Sequence, residues 1–284
     1  MQGRKQKKIM LLTVLFAALL GLLLWTLWGN TALELNAYTV KSEKLPAAFQ
    51  GYRIVHISDL HNAQMGENNE KLLKMIGQAK PDMIAITGDL VDSRDTDIPV
   101  ALDFAAKAME IAPCYYVTGN HEARIPAYAQ LRKGLQELGV TVLENAAVEI
   151  GREGEKIGLI GVDDPSFQTD YLFGDAETVL RDALQKLNEQ DTYAVLLSHR
   201  PELFDMYVES GVDLVLTGHA HGGQFRLPWI GGLAAPNQGL FPQYDAGIYT
   251  EKQTNMMVSR GIGNSIIPIR FNNRLEVIVI TLSQ

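Results

Sequence analysis

The chain has 284 residues, 46% hydrophobic and 20% charged, which supplies a sizeable core and argues against long disorder. Its formal net charge of −8 disfavours non-specific binding to nucleic acid. Cys114 is the only cysteine, which excludes an internal disulfide and a cysteine-based zinc site; among Ile111, Tyr115, Tyr116 and Val117 it reads as a core thiol.

Arg4, Lys5, Lys7 and Lys8 precede an uncharged apolar run from Ile9 to Trp28. As a helix that run spans about 30 Å, the thickness of a bilayer's hydrocarbon core. Trp25 and Trp28 lie near its far end, where interfacial tryptophans belong. No polar face breaks the run, so an ordinary soluble helix is a poor reading. The next basic residue is Lys41, and this asymmetry predicts a single pass through the cell membrane, with the amino terminus cytoplasmic and the remainder on the outer face. A cleaved signal peptide is the competing reading; the run is long for one, and no clear A-x-A site follows. The chain thus divides into a basic tail over 1–8, a transmembrane anchor over 9–29, a connection with a first edge strand over 30–50, and a globular domain over 51–284.

From Gly51 onward short apolar runs alternate with amphipathic stretches. Strands are predicted at Arg53–Ile57, Met83–Thr87, Tyr115–Thr118, Lys156–Gly161, Ala194–Ser198, Leu214–Thr217, Met256–Ser259 and Leu275–Leu282. Helices are predicted at Asn69–Ala79, Pro99–Ile111, Ile125–Leu138 and Glu177–Leu187, with Pro99 and Pro126 in first turns. Helices predominate early and strands late, which points to α/β with the carboxy-terminal strands in a second sheet.

Five strand ends share one pattern. "RIVHIS" is followed by Asp59-Leu60-His61, "DMIAITG" by Asp89 with Asp92 three residues on, "CYYVTG" by Asn120-His121-Glu122, "YAVLLS" by His199, and "DLVLTG" by His219-Ala220-His221. Five of the six histidines stand at these junctions; the sixth, His56, lies inside a strand and reads as a structural core residue. Ligand sites in α/β sheets form at the carboxyl ends of strands, so five such ends can converge. Carboxylates, neutral imidazoles and one amide oxygen suit Mn²⁺, Fe or Zn²⁺. Gly88, Gly119 and Gly218 permit tight turns there. Seven candidate ligands exceed the needs of one tetrahedral ion, which favours two.

These blocks resemble the calcineurin-like metallophosphoesterases. The family's D-x-H stands as Asp59-Leu60-His61, G-D-x-x-D as Gly88 to Asp92, G-N-H-[DE] as Gly119 to Glu122, the isolated His as His199, and G-H-x-H as Gly218 to His221. "GHAHGGQFRLP" and "VSRGIGNSIIPIRF" are further similar to the membrane-associated bacterial branch of small phosphodiesterases. The resemblance implies a four-layer α/β/β/α sandwich of two mixed sheets flanked by helices, and a dinuclear centre. One ion would take Asp59, His61 and His221, the other Asn120, His199 and His219, with Asp89 bridging; His121 would face the substrate and help protonate the leaving oxygen. Two such ions clamp the attacking and leaving oxygens of an in-line displacement and activate a bridging water.

The resulting expectation is a membrane-anchored phosphodiesterase acting on a phosphoester, lipid-linked ones included, with no nucleic-acid partner and no obligate protein partner. A phosphomonoesterase and a pyrophosphatase of lipid-linked or nucleotide-sugar diphosphates are the alternative enzymes, and a non-catalytic metal-binding envelope protein the alternative of another class. Leu227–Gly247 reads either as packing over the sheet edge or as a rim touching lipid or an apolar substrate, and Arg260 either as a phosphate ligand or as a structural ion pair. The stretch after His121 reads as a helix packed on the core.

Overall fold

Nothing between Gln2 and Gly29 interrupts helical hydrogen bonding, so the basic tail and the apolar run form one continuous helix, α1. From Arg4 it is long and apolar enough to cross a membrane, and none of its apolar window is buried against the rest of the protein. The computed structural model describes residues 2–167, 176–188, 192–264 and 266–284, so Met1 of the predicted tail lies outside them.

In chain order there follow β1 (Leu33–Lys41), β2 (Arg53–Ile57), α2 (Glu70–Ala79), β3 (Met83–Thr87), α3 (Ile98–Met109), β4 (Cys114–Val117), α4 (Tyr128–Glu137), β5 (Thr141–Val142), β6 (Ala146–Arg152) and β7 (Glu155–Gly161). Then come α5 (Ala176–Leu187), β8 (Ala194–Leu197), α6 (Phe204–Ser210), β9 (Leu214–Thr217), the short β10 (Arg226–Leu227), β11 (Gly231–Gly232), β12 (Ala234–Ala235) and β13 (Gly239–Leu240), and finally β14 (Gly247–Glu251), β15 (Thr254–Val258) and β16 (Leu275–Ser283).

Among the described residues two six-stranded mixed sheets form, ordered β1-β16-β2-β3-β4-β5 and β14-β15-β9-β8-β7-β6. Side-chain alternation assigns the layers. In β2, Val55 and Ile57 pack with Phe104 of α3 and Leu131 of α4, whereas Ile54 packs with Leu197 and Leu214 of the other sheet. Beyond the second sheet, Val215 packs with Leu184 of α5 and Tyr207 of α6. This is the expected α/β/β/α sandwich.

Three details differ from expectation. The last strand does not join the second sheet; β16 lies in the first, parallel to β1 and antiparallel to β2. Its run from Leu275 to Leu282 is almost wholly buried, and such a run suits either sheet. Pro126 stands before Ala127, the N-cap of α4, rather than in its first turn, and Ile125 bonds as the end of a short 3₁₀ turn. Leu227–Gly247 carries two short hairpin ladders, β10 with β11 and β12 with β13.

Cys114 is buried, and burial pushes its thiol up to about 12. His56 is buried in the layer between the sheets with its Nε2 2.8 Å from Thr87 Oγ1, and burial lowers it to about 3. Arg260 pairs with Glu34 at 2.6 Å and Glu276 at 3.1 Å, the structural alternative.

Candidate metal centre

The parallel strands β2, β3 and β4 end at one edge of the first sheet, and β8 and β9 at the matching edge of the second. Asp59 and His61 follow β2, Asp89 follows β3, Asn120 and His121 follow β4, His199 follows β8, and His219 and His221 follow β9. The loops turn at once, and Asp59, His61, Asp89, His219 and His221 all have positive φ, between 46° and 64°. Side-chain-bearing residues rarely adopt that conformation, and its concentration in one cluster is the local strain expected of a functional site. Gly218 and Gly119 make the crowding possible: a Cβ on Gly218 would collide with Ser58 Oγ and Asp59 Oδ2, and one on Gly119 with the carboxylate of Asp89.

Side chains from both sheets meet. His221 Nε2 is 3.3 Å from Asp59 Oδ1 and 3.3 Å from His61 Nε2. Asp89 Oδ2 lies between the two halves of the cluster, 3.6 Å from His61 Nε2 and 3.3 Å from His199 Nε2. Three close groups with ligand spacing occur among the described residues: Asp59, His61 and His221; Asp89, His199 and His219; and, sharing His61 with the first, His61, Asp92 and His121. Asn120 sits between Gly119 and His121, whose amide donates to Asp89 Oδ1 at 2.8 Å.

The donor set fits cations. Asn120 Oδ1 and His199 Nε2 are buried with no hydrogen-bond partner, which is costly unless something else takes their lone pairs. His199 Nδ1 lies 2.7 Å from the Thr87 carbonyl, which fixes its proton there and leaves Nε2 as a lone-pair donor. Charge agrees. Burial pushes the Asp89 carboxyl up, but the imidazoles of His199 and His61 outweigh it and hold the group well below the usual carboxylate range. Burial pushes His199 down, but Asp89 and Asp59 outweigh it and raise the group to about 10, so Nε2 carries a proton toward Asp89 that a bound cation would displace. Burial lowers His221 to about 3 and His219 well below its ordinary value, so those two imidazoles stay neutral. Two buried carboxylates that call for positive charge, beside neutral imidazoles, suit divalent ions.

His121 differs from the other histidines at the strand ends. The amide N–H of Ser93 donates to its Nδ1 at 2.9 Å, which leaves the neutral ring's proton on Nε2. Burial lowers the group's pKa, so the ring is neutral at pH 7. Its ring meets that of His61 edge-on with centroids 4.5 Å apart.

Four further residues support the site. Glu122 is buried and accepts the amides of Asp89, Leu90 and Gly119. Arg200 forks onto Asp164 at 2.5 and 2.9 Å and directs Nη1 at His219 Nε2, 2.9 Å away. Arg270, fully buried, reaches His221 Nδ1 at 3.3 Å. Asp163-Asp164 after β7 is a sixth strand end of the same pattern, Arg200 directly follows His199, and Arg270 lies within the stretch "VSRGIGNSIIPIRF", so all carried a readable signal.

The sequence profile of calcineurin-like phosphoesterases matches residues 52–223, more than half of the chain. The chain belongs to the calcineurin-like phosphoesterase family. It is therefore a metal-dependent phosphoester hydrolase, from a family that uses a dinuclear divalent centre. The phosphoesterase is 30% identical over 259 residues to the metallophosphoesterase YkuE of Bacillus subtilis, covering 88% of this chain and 85% of that protein. It is 27% identical over 241 residues to phosphodiesterase YaeI of Escherichia coli, covering 81% and 82%. A zebrafish (Danio rerio) transmembrane protein with a metallophosphoesterase domain is 29% identical over 256 residues, covering 85% of this chain and 55% of that protein. Among solved structures, TT1561 of Thermus thermophilus superposes with a TM-score of 0.51 at 16% identity, over 74% of this chain and 90% of that one, a likeness of fold.

Proposed function

We propose that this phosphoesterase is a phosphodiesterase tethered to the cell membrane by residues 9–29, with the unit over 51–284 carrying catalysis on the outer face. The observation that carries the reaction is the position of Asp89 Oδ2, 3.6 Å from His61 Nε2 and 3.3 Å from His199 Nε2, one carboxylate oxygen facing two imidazoles of different groups. Asp59, His61 and His221 would hold one divalent ion, Asn120, His199 and His219 the other, and Asp89 both; Mn²⁺, Fe or Zn²⁺ suits the donors. Ions so held would supply the positive charge that an in-line displacement at phosphorus needs and would lower the pKa of a bound water.

The chain's own groups do the rest. His121 enters as a neutral ring with its N–H on Nε2, set by the Ser93 amide, and hydrogen-bonds from there to the leaving oxygen as charge develops on it, the proton that oxygen finally takes coming from the attacking water. Glu122 holds the loops of Asp89 and Gly119 at fixed spacing. Asp164 holds the Arg200 fork beside His219; an ion on His219 Nε2 would displace Nη1 from that lone pair and free it for the phosphoryl oxygens. The diester preference follows the likeness to YaeI; the tether and its orientation follow α1 and the four cations at its start.

Asp89→Asn tests the assignment. Metal per chain is measured together with turnover of bis-p-nitrophenyl phosphate, p-nitrophenyl phosphate and a lipid pyrophosphate. We expect loss of bound metal and of turnover, with the diester the best substrate of the native chain. Full metal loading and activity in Asp89→Asn would remove the bridging role, and preference for the pyrophosphate would replace the diester.

A further inference from the structure

The apolar surface near the cluster is concentrated in two loops. Trp229 is 102% exposed, Ile266 75% and Leu240 71%, with Ile230, Phe241 and Ile267 also exposed beside them in sequence. Side chains of that size, gathered in this way, mark an interaction site. Both loops are built on one hydrogen-bonded frame. Gln224 Nε2 donates to the carbonyls of Ile267 and Ile269 at 2.7 and 2.8 Å, and the amide of Arg226 donates to Phe271 O at 2.9 Å.

The same frame grips the end of α1. Asn30, the residue after that helix, donates from Nδ2 to the Arg270 carbonyl and accepts the Arg270 amide, both at 2.7 Å. The guanidinium of Arg274 lies 4.7 Å from the centre of the Trp28 ring. The loop with Ile266 and Ile267 is therefore fastened where α1 leaves the apolar span, the level at which a bilayer's polar surface must lie. The cluster is equally close to the frame: the amide of Gln224 donates to His221 O at 3.1 Å, and Asn273 Nδ2 donates to it at 2.8 Å.

We infer that the loops around Trp229 and Ile266 dock on the bilayer that holds α1, as a second contact independent of the helix, and that the cluster accordingly works on phosphoesters carried by lipids in that bilayer. The inference rests on the tether and the hydrolytic reaction proposed above. Continuity with α1 selects a lipid surface over a protein partner, because any occupant of this face must share its place with the headgroups around Trp28. In the reaction, the oxygen of water bonds to phosphorus, the P–O bond to the leaving alcohol breaks, and a proton passes to the released alkoxide. An interfacial site gains from lipid-borne substrate because acyl chains confine the ester to the depth of the docking loops.

The full chain in phosphatidylcholine nanodiscs provides the test. With Trp25→Phe and Trp28→Phe, Trp229 is the remaining tryptophan of the three. Its fluorescence falls at least twofold in nanodiscs of chain-brominated phosphatidylcholine if the loop docks. Unchanged emission there, together with full quenching by aqueous iodide, overturns the docking. A Phe241→Trp reporter with all three tryptophans replaced by Phe reads the same contact from the second ladder. For the substrate class, the native chain is given Mn²⁺ and either phosphatidylglycerol in the nanodisc or free glycerophosphoglycerol. At least tenfold faster hydrolysis of the lipid-borne diester is expected, and equal or faster hydrolysis of the free one overturns the class. Failure to hydrolyse bis-p-nitrophenyl phosphate while Trp229 remains quenched would remove the proposed reaction and leave the docking contact standing.

Discussion

Glu122 holds Asp89 by its backbone: one carboxylate oxygen accepts the amides of Asp89 and Gly119 at 2.9 and 2.8 Å, and the other accepts the amide of Leu90 at 2.8 Å. No substitution supplies the same acceptors. In Glu122→Gln the side-chain NH₂ must face amide donors on one side, leaving buried N–H groups unpartnered. A loss of about 1–3 kcal/mol follows, together with lower metal affinity. Urea denaturation of the two chains measures it; coincident midpoints would mean that the carboxylate is not holding the loops.

His121→Asn separates chemistry from binding. Because the ring donates a hydrogen bond to the leaving oxygen in the proposed reaction and is not a ligand, metal per chain should stay unchanged while kcat falls by about 10²- to 10³-fold. Elemental analysis and steady-state kinetics on the same preparation decide it. Metal loss would make His121 a ligand, and undiminished turnover would remove it from the reaction.

Gly119→Ala probes the tightness of the strand ends. The added methyl meets the carboxylate and backbone nitrogen of Asp89, neither of which can withdraw without moving the cluster. Overpacking of this kind costs about 1–3 kcal/mol. A lower Tm with weakened metal retention is expected, and a variant with native Tm and native metal content would show more slack than these contacts allow.

Asp163 provides a pH dependence away from the ligands. Burial pushes its carboxyl up to about 6 against a hydrogen bond from Thr118. The folded state thus holds a proton that the unfolded chain has released by about pH 4. Stability from this group is full below that pH and declines as pH rises toward 6, by about 2 kcal/mol. The stability difference between the native chain and Asp163→Asn should shift by that amount in the variant's favour between pH 4 and pH 7. A difference that does not move with pH would place the Asp163 titration elsewhere.

The strand ends were legible because each combines a buried apolar run with an abrupt change to polar residues, and the structure brings those ends to one edge. The sheet edges were not. In β6 the burial alternates from Ala147 to Gly151, and β14 has no fully buried residue, so neither presents a continuous apolar run. The place of β16 was illegible for the opposite reason: a strand apolar on both faces satisfies either sheet. The stretch that holds Arg270 was legible, but not its reach to Asn30 and His221, which lie far from it in the chain. The positive φ angles at Asp59 and Asp89 belong to the same class, since only the crowding of the finished site imposes them.

The thread from His199 Nδ1 to the Thr87 carbonyl crosses from the second sheet to the first at the rim where the candidate ligands gather. Cations lodged there would act as a clasp between the two halves of the sandwich, adding to a seam otherwise filled by apolar side chains such as Ile54, Leu197 and Leu214. Stripping the clasp would then loosen the sandwich from that rim inward, so that wear on the chemistry and wear on the architecture arrive together.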